Sequence, residues 1–192
     1  MINIFCENCI GQFYGHTHSD EFELFFDHDQ LNLAKSTKEL TELSPVSIAY
    51  LAPSMTTFVV TNPGYRIYEV DADTLEVINY HNYFLDLPHA NKQSEDNPKH
   101  TPEFEYSYNP IEHYQMKDLT VSSWLELAER MYKNFTLLND YLYLSKNKAD
   151  SAAMIESMCG DEVCKKRSIC EILRGKSHDN RLCDLVIKRF KN

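Results

Sequence analysis

"GQFYGHTHSDEFELFF", Gly11 to Phe26, sets two imidazoles one residue apart between two runs of strand-forming residues. Aromatic and β-branched side chains suit a pleated, half-buried surface, so "GQFY" and "EFELFF" each read as strand. Gly15 allows the backbone to turn between them. His16 and His18 then fall where a sheet edge opens into a loop. Neutral imidazole is the commonest nitrogen ligand of transition metals, and two at i and i+2 can aim at one ion or straddle two. The pair is a candidate metal centre. Two ligands do not complete it, because catalytic zinc takes three protein ligands and a water. Asp20 and Glu21 are the nearest further donors, although on a strand leaving the loop they read first as charges on its solvent face.

Outward from this stretch the strand pattern continues to about Leu87. "VSIAYLA", "TFVVT", "YRIYEV" and "LEVINYHNYFL" are short β-rich runs between polar or Pro/Gly breaks. Asp71 to Thr74 supply turn formers between the last two, which predicts a hairpin. Residues 88–118 are polar and proline-rich with neither period, and read as a long connecting segment. Then the period changes. Trp124, Leu127, Ala128, Met131, Phe135, Leu138 and Leu142 recur at spacings of three and four, which predicts one helix to about Ser145, with Ser123 and Glu126 as its capping box. Shorter helices are expected at about 150–158, 166–174 and 180–190.

Of 192 residues, 43% are apolar and 25% charged, an ordinary composition for a globular chain. No run approaches the roughly 20 apolar residues of a membrane-spanning helix. The start, "MINIFCENCIGQ", carries no export signal as written. A formal net charge of −10 argues against nucleic acid as a partner, since phosphate backbones are bound by clustered Lys and Arg. The charge is uneven: residues 1–164 balance to −16 and residues 165–192 to +6. A basic tail of that kind can serve as a solvated helix face or touch an anionic lipid surface.

Four of the six cysteines, Cys159, Cys164, Cys170 and Cys183, crowd into the tail. In a short helical segment they read as a disulfide framework, which belongs in an oxidising compartment; four cysteines allow three connectivities. A zinc knuckle is the rival, without a C-x-x-C spacing to support it. Cys6 and Cys9 do have that spacing, but they lead into a strand rather than opening a helix, and read as incidental. Asn134-Phe135-Thr136 is the one glycosylation sequon with a permitted middle residue.

Taken in order, "GQFYGHTHSDEFELFF", "AYLAPSMTTF" (Ala49–Phe58), "NPGYRIYEVD" (Asn62–Asp71) and the cysteine tail resemble the C-terminal part of acid sphingomyelinase and the acid-sphingomyelinase-like phosphodiesterases. These are calcineurin-like metallophosphoesterases. The resemblance implies an α+β fold: the last strands of a metallophosphoesterase β-sandwich (αββα), then a disulfide-bonded helical subdomain. Residues 1–118 would be the end of the catalytic domain with its connecting segment, and 119–192 the helical, cysteine-rich subdomain. It further implies that His16 and His18 each ligate one ion of a two-zinc site. There the metals would clamp a phosphodiester and activate water, splitting sphingomyelin at a membrane surface into ceramide and phosphocholine.

The family's earlier metal motifs are not in this sequence. The chain is therefore expected to be a fragment that lacks an N-terminal catalytic portion and does not turn over substrate alone. The resemblance also implies the pairings Cys159–Cys164 and Cys170–Cys183, a secreted or lysosomal location, and a substrate-binding role for Phe58. Phe58 stands where the sphingomyelinase has a Tyr near the lipid headgroup. The missing hydroxyl leaves room for nucleotides or other phosphoesters as substrates. Arg66, flanked by aromatics on a strand, reads as stacked or salt-bridged rather than as a phosphate ligand. A different class of answer is a non-catalytic secreted module that binds lipid or a partner through its basic tail.

Overall fold

The computed structural model describes residues 11–27, 44–58, 60–149, 158–175 and 181–191. In chain order the elements are β1 (Gln12–Tyr14), β2 (Glu21–Phe26), β3 (Pro45–Leu51), β4 (Gly64–Val70), β5 (Val77–Phe84), α1 (Leu87–Asp96), β6 (Glu105–Tyr108), α2 (Pro110–His113), α3 (Val121–Lys133), α4 (Phe135–Ser145), α5 (Glu162–Leu173) and α6 (Arg181–Phe190). The class is α+β, as read from the sequence, built on two three-stranded sheets.

The first sheet has the order β1-β3-β2, with β1 parallel and β2 antiparallel to β3. Tyr14 and Glu21 both pair with Leu51. The segment between them, Gly15 to Asp20, therefore arches over the C-terminal end of β3. The second sheet is antiparallel, β4-β5-β6. Its first hairpin turns where the sequence places it: the Asp71 carboxylate accepts from the backbone N–H groups of Asp73 and Thr74 at 2.9 and 2.8 Å. Such an Asx turn is why aspartate opens turns.

Burial follows the two periods. Along β2, Phe22, Leu24 and Phe26 alternate inward, and on α3 the stripe of Trp124, Leu127, Ala128 and Met131 faces the same core. Tyr50, Tyr80 and Tyr108 join them, as do Ile169, Ile172 and Leu173 of α5, in one apolar cluster. Cys159 is bonded to Cys164 and Cys170 to Cys183, with Cα–Cα separations of 5.3 and 5.0 Å. The second bridge ties α5 to α6.

Several expectations are corrected. The helix expected to run unbroken to Ser145 is two helices, because Asn134 adopts an extended conformation (φ −132°, ψ 105°), ends α3 and caps α4. Its side chain accepts from the N–H groups of Thr136 and Leu137 at 2.9 and 3.3 Å. Asparagine competes well for this role, and the apolar spacing runs on across it, so periodicity hides the break. The cap of α3 is Thr120 rather than Ser123, which is buried inside the first turn. Residues 88–118 are not a structureless connection: they hold most of α1, then β6 and α2. Helix α1 starts on an Asp86 cap with Pro88 in the first turn, where the missing proline N–H costs nothing. The run "TFVVT" holds no strand among its described residues. Cys6, Cys9 and residues 150–157 of an expected helix lie outside the described residues.

Candidate metal centre

Gly15 was expected to make the turn of the histidine bend, yet no glycine among the described residues has positive φ. His16 (φ 88°) and His18 (φ 62°) take the left-handed conformation themselves. For residues with a Cβ this costs about 1–3 kcal/mol and persists only where the surroundings over-determine it. Here they do. The Ser19 hydroxyl donates to the Thr17 carbonyl at 3.3 Å, and the Asp20 N–H donates to the Ser145 carbonyl at 2.9 Å. Lys146 Nζ donates to the Ser19 hydroxyl. The end of α4 thus pins the bend from behind.

In front of the bend lies the loop that leaves β3. The Ala52 N–H donates to the Tyr14 carbonyl at 3.0 Å, and the Gly64 N–H donates to the Ser54 carbonyl at 2.8 Å, closing a loop from Ser54 to Gly64. Within it, Thr56 Oγ1 sits 3.0 Å from His18 Nδ1, and the Phe58 ring stands edge-on to the His18 ring with centroids 5.5 Å apart. Phe58 is 70% exposed. His16 is exposed and His18 half-buried. Both imidazoles are donors of the type zinc takes, and they share one bend, so the donor chemistry fits a zinc ion. Among the described residues no group of three or more His, Cys, Asp or Glu side chains could hold a metal. The described residues thus offer two imidazole donors in one bend, fewer than the three protein ligands a catalytic zinc takes.

Asp20 does not lie on a solvent face. It is 3% exposed, and its carboxylate faces Arg66, whose side chain is equally enclosed. Asn82 Nδ2 and the Tyr108 hydroxyl also donate to it, the latter at 2.7 Å. Arg66 is fully engaged: Nε donates to Asn82 Oδ1 at 2.8 Å, one NH group donates to the Tyr68 hydroxyl at 3.1 Å, and the guanidinium lies 3.8 Å from the Tyr80 ring centroid. The structural role expected of Arg66 is therefore what it has, and no phosphate role remains for it. Burial opposes charge on both partners. For Arg66 burial is the largest single influence, but the Asp20 carboxylate together with Tyr80, Tyr68 and Tyr108 outweighs it and holds the guanidinium protonated. This network joins the first residue after the histidine bend to the second sheet.

Glu21 leaves the bend on the other side. With Thr17, Glu23, Lys146 and Glu171 it lines a cleft of about 340 Å³ between β2, α4 and α5. Burial pushes the Glu21 carboxyl up, with Lys146 pulling it partly back, and burial and then Glu21 push Glu23 up. The other charged neighbours are Asp20, Glu171 and Arg174. A carboxyl raised in the folded state binds more protons folded than unfolded, so its stabilisation is whole below its ordinary value and is lost as pH rises through the folded value. Asp71 and Asp118 are lowered by hydrogen bonds and act oppositely, losing their stabilisation as pH falls. The melting temperature is therefore expected to peak at about pH 4–5 and to fall towards pH 7. Calorimetry across that range checks it, and Glu21→Gln should flatten the fall.

Thr56, Asn82, Tyr108 and the Glu21–Glu23–Glu171 cleft were not found in the sequence. Only Glu21 and Glu23, at i and i+2 on a strand, carry a visible signal, since that spacing puts both on one face.

A bend of two histidines over the end of a mixed sheet, backed by a disulfide-linked helical unit, defines a class that comparison with known proteins makes specific. Residues 44–184 match the family described as acid sphingomyelin phosphodiesterase C-terminal region. The chain belongs to this family. Sphingomyelin phosphodiesterase 2 of Caenorhabditis elegans is 34% identical over 95% of this chain and 27% of its own length. The Bos taurus sphingomyelin phosphodiesterase is 33% identical over 90% of this chain and 25% of its own. An acid sphingomyelinase-like phosphodiesterase 3b of Mus musculus is 30% identical over 84% and 32%. The chain thus spans about a quarter to a third of the length of these curated relatives.

Proposed function

We propose that this chain is the C-terminal portion of a zinc-dependent sphingomyelin phosphodiesterase, in which His16 and His18 hold zinc and further ligands come from outside the described residues. The observation that carries the reading is family membership across residues 44–184, together with relatives named for sphingomyelin hydrolysis. On this reading the two small sheets are the last strands of a metallophosphoesterase sandwich. When bound, zinc supplies positive charge against a phosphodiester and makes water easier to deprotonate. The chain's own residues do the rest of what is assigned here. His16 and His18 present the donors, the Asp20–Arg66 pair fixes the base of their bend, and Phe58 offers an exposed apolar edge beside the reacting headgroup. Met55, Phe58 and Val60 are exposed on the same loop, which suits a lipid substrate at a membrane surface. The two disulfides suit a secreted or lysosomal compartment.

A second reading, hydrolysis of nucleotides or other phosphoesters, is favoured by one observation: the exposed Phe58 ring beside His18 has no hydroxyl for a choline-phosphate headgroup and can stack a base. The test uses the intact protein purified from its source. Metal analysis and release of phosphocholine from sphingomyelin vesicles are measured beside a nucleotide diester. We expect bound zinc and phosphocholine release, both lost in His16→Ala and His18→Ala, with activity down by more than about 100-fold. Zinc content unchanged in both variants would overturn the ligand assignment. Release from the nucleotide diester alone would favour the second reading.

A further inference from the structure

One contact at the histidine bend has no part in the reading above: the hydroxyl of Thr56 against His18. We infer that Thr56, backed by Ser54, is a positioning residue that fixes the ring of His18 with Nδ1 towards the loop and leaves Nε2 as its ligand nitrogen. The inference rests on the proposal that His18 holds zinc.

The geometry is a short relay. Thr56 Oγ1 is 3.0 Å from His18 Nδ1 and 3.0 Å from Ser54 Oγ, and the Thr56 backbone N–H donates to Ser54 Oγ at 3.1 Å. A threonine hydroxyl has one proton. If it donates that proton to Ser54, it accepts from the Nδ1–H of His18. A neutral imidazole protonated at Nδ1 carries its lone pair on Nε2. Two further contacts hold the arrangement. The Thr61 hydroxyl donates to the Thr56 carbonyl at 3.4 Å, and the Phe58 ring stands edge-on to the imidazole with centroids 5.5 Å apart. A ligating histidine whose second ring nitrogen is anchored loses less freedom on binding metal and is held in one tautomer; losing such an anchor typically costs 10–100-fold in affinity.

The test uses the intact protein with three variants. Thr56→Val keeps the shape and removes the hydroxyl, Thr56→Ser keeps the hydroxyl, and His18→Ala removes the ligand. Zinc affinity is read by competition with a chelator, and the His18 tautomer in metal-free protein by nitrogen NMR. We expect zinc binding about 10–100-fold weaker in Thr56→Val and within about threefold of the parent in Thr56→Ser. We also expect the Nδ1–H tautomer to dominate in the parent and to lose that dominance in Thr56→Val. Unchanged affinity in Thr56→Val alongside loss in His18→Ala would overturn the positioning role and leave the ligand reading standing. Unchanged affinity in His18→Ala would overturn both. A dominant Nε2–H tautomer in the parent would overturn the positioning role on its own.

Discussion

Asp20→Ala is expected to destabilise the protein by about 3–5 kcal/mol, the cost of leaving a buried charge without its partner. The Arg66 guanidinium has no route to water: its side chain is 1% exposed and lies against the Tyr80 ring. Without the carboxylate it keeps bonds to Asn82 and Tyr68 but loses its counter-charge, while Tyr108 and Asn82 lose the acceptor they share. For a chain of this length the change corresponds to a melting temperature lower by about 6–20 °C. Denaturant unfolding measures it directly. Replacing both charges together, Asp20→Leu with Arg66→Met, should cost less than Asp20→Ala alone, because an apolar pair leaves no stranded ion. A single-variant loss below about 1 kcal/mol would show that the pair behaves like an exposed salt bridge.

Trp124→Ala should cost a similar amount, about 3–5 kcal/mol, for a different reason. The indole is 1% exposed and sits where the two sheets and α3 meet: its ring centroid is 4.4 Å from that of Phe22, 6.0 Å from Tyr50 and 6.2 Å from Tyr80. Alanine leaves a cavity lined by three aromatic rings, drawn from β2, β3 and β5, that cannot collapse without moving a strand. Trp124→Phe keeps most of the filling and should lose less than half as much. If Trp124→Ala unfolds at the same denaturant concentration as the parent, the rings are not the centre of the core.

Strands β1 to β5, the β4–β5 hairpin and the α3 stripe were legible because each rests on local chemistry: alternation, an aspartate that closes its own turn, apolar residues at spacings of three and four. The unread parts depend on partners distant in sequence. Nothing local distinguishes Asp20 on a solvated strand from Asp20 beneath Arg66, 46 residues away. Asn134 misled for the opposite reason, since a strong local cap interrupts a stripe whose spacing does not change. For the site, the histidine pair is visible as a pattern, whereas Thr56 is an ordinary residue until the fold brings it 38 positions back to His18. The pairing of the four tail cysteines was given by family resemblance, not by spacing.

The position of β3 between its two partners has a consequence for how the protein comes into being. Tyr14 and Glu21 pair with Leu51, so both arms of the histidine bend dock against a residue that lies 30 positions or more further along the chain. Such contacts come late on a folding pathway, because a long loop must be closed before they are rewarded. The imidazoles therefore have no scaffold until β3 is in place, and during synthesis none exists until that strand has left the ribosome. Metal uptake at the bend would then report on a nearly finished sheet and would stabilise the native chain over its precursors.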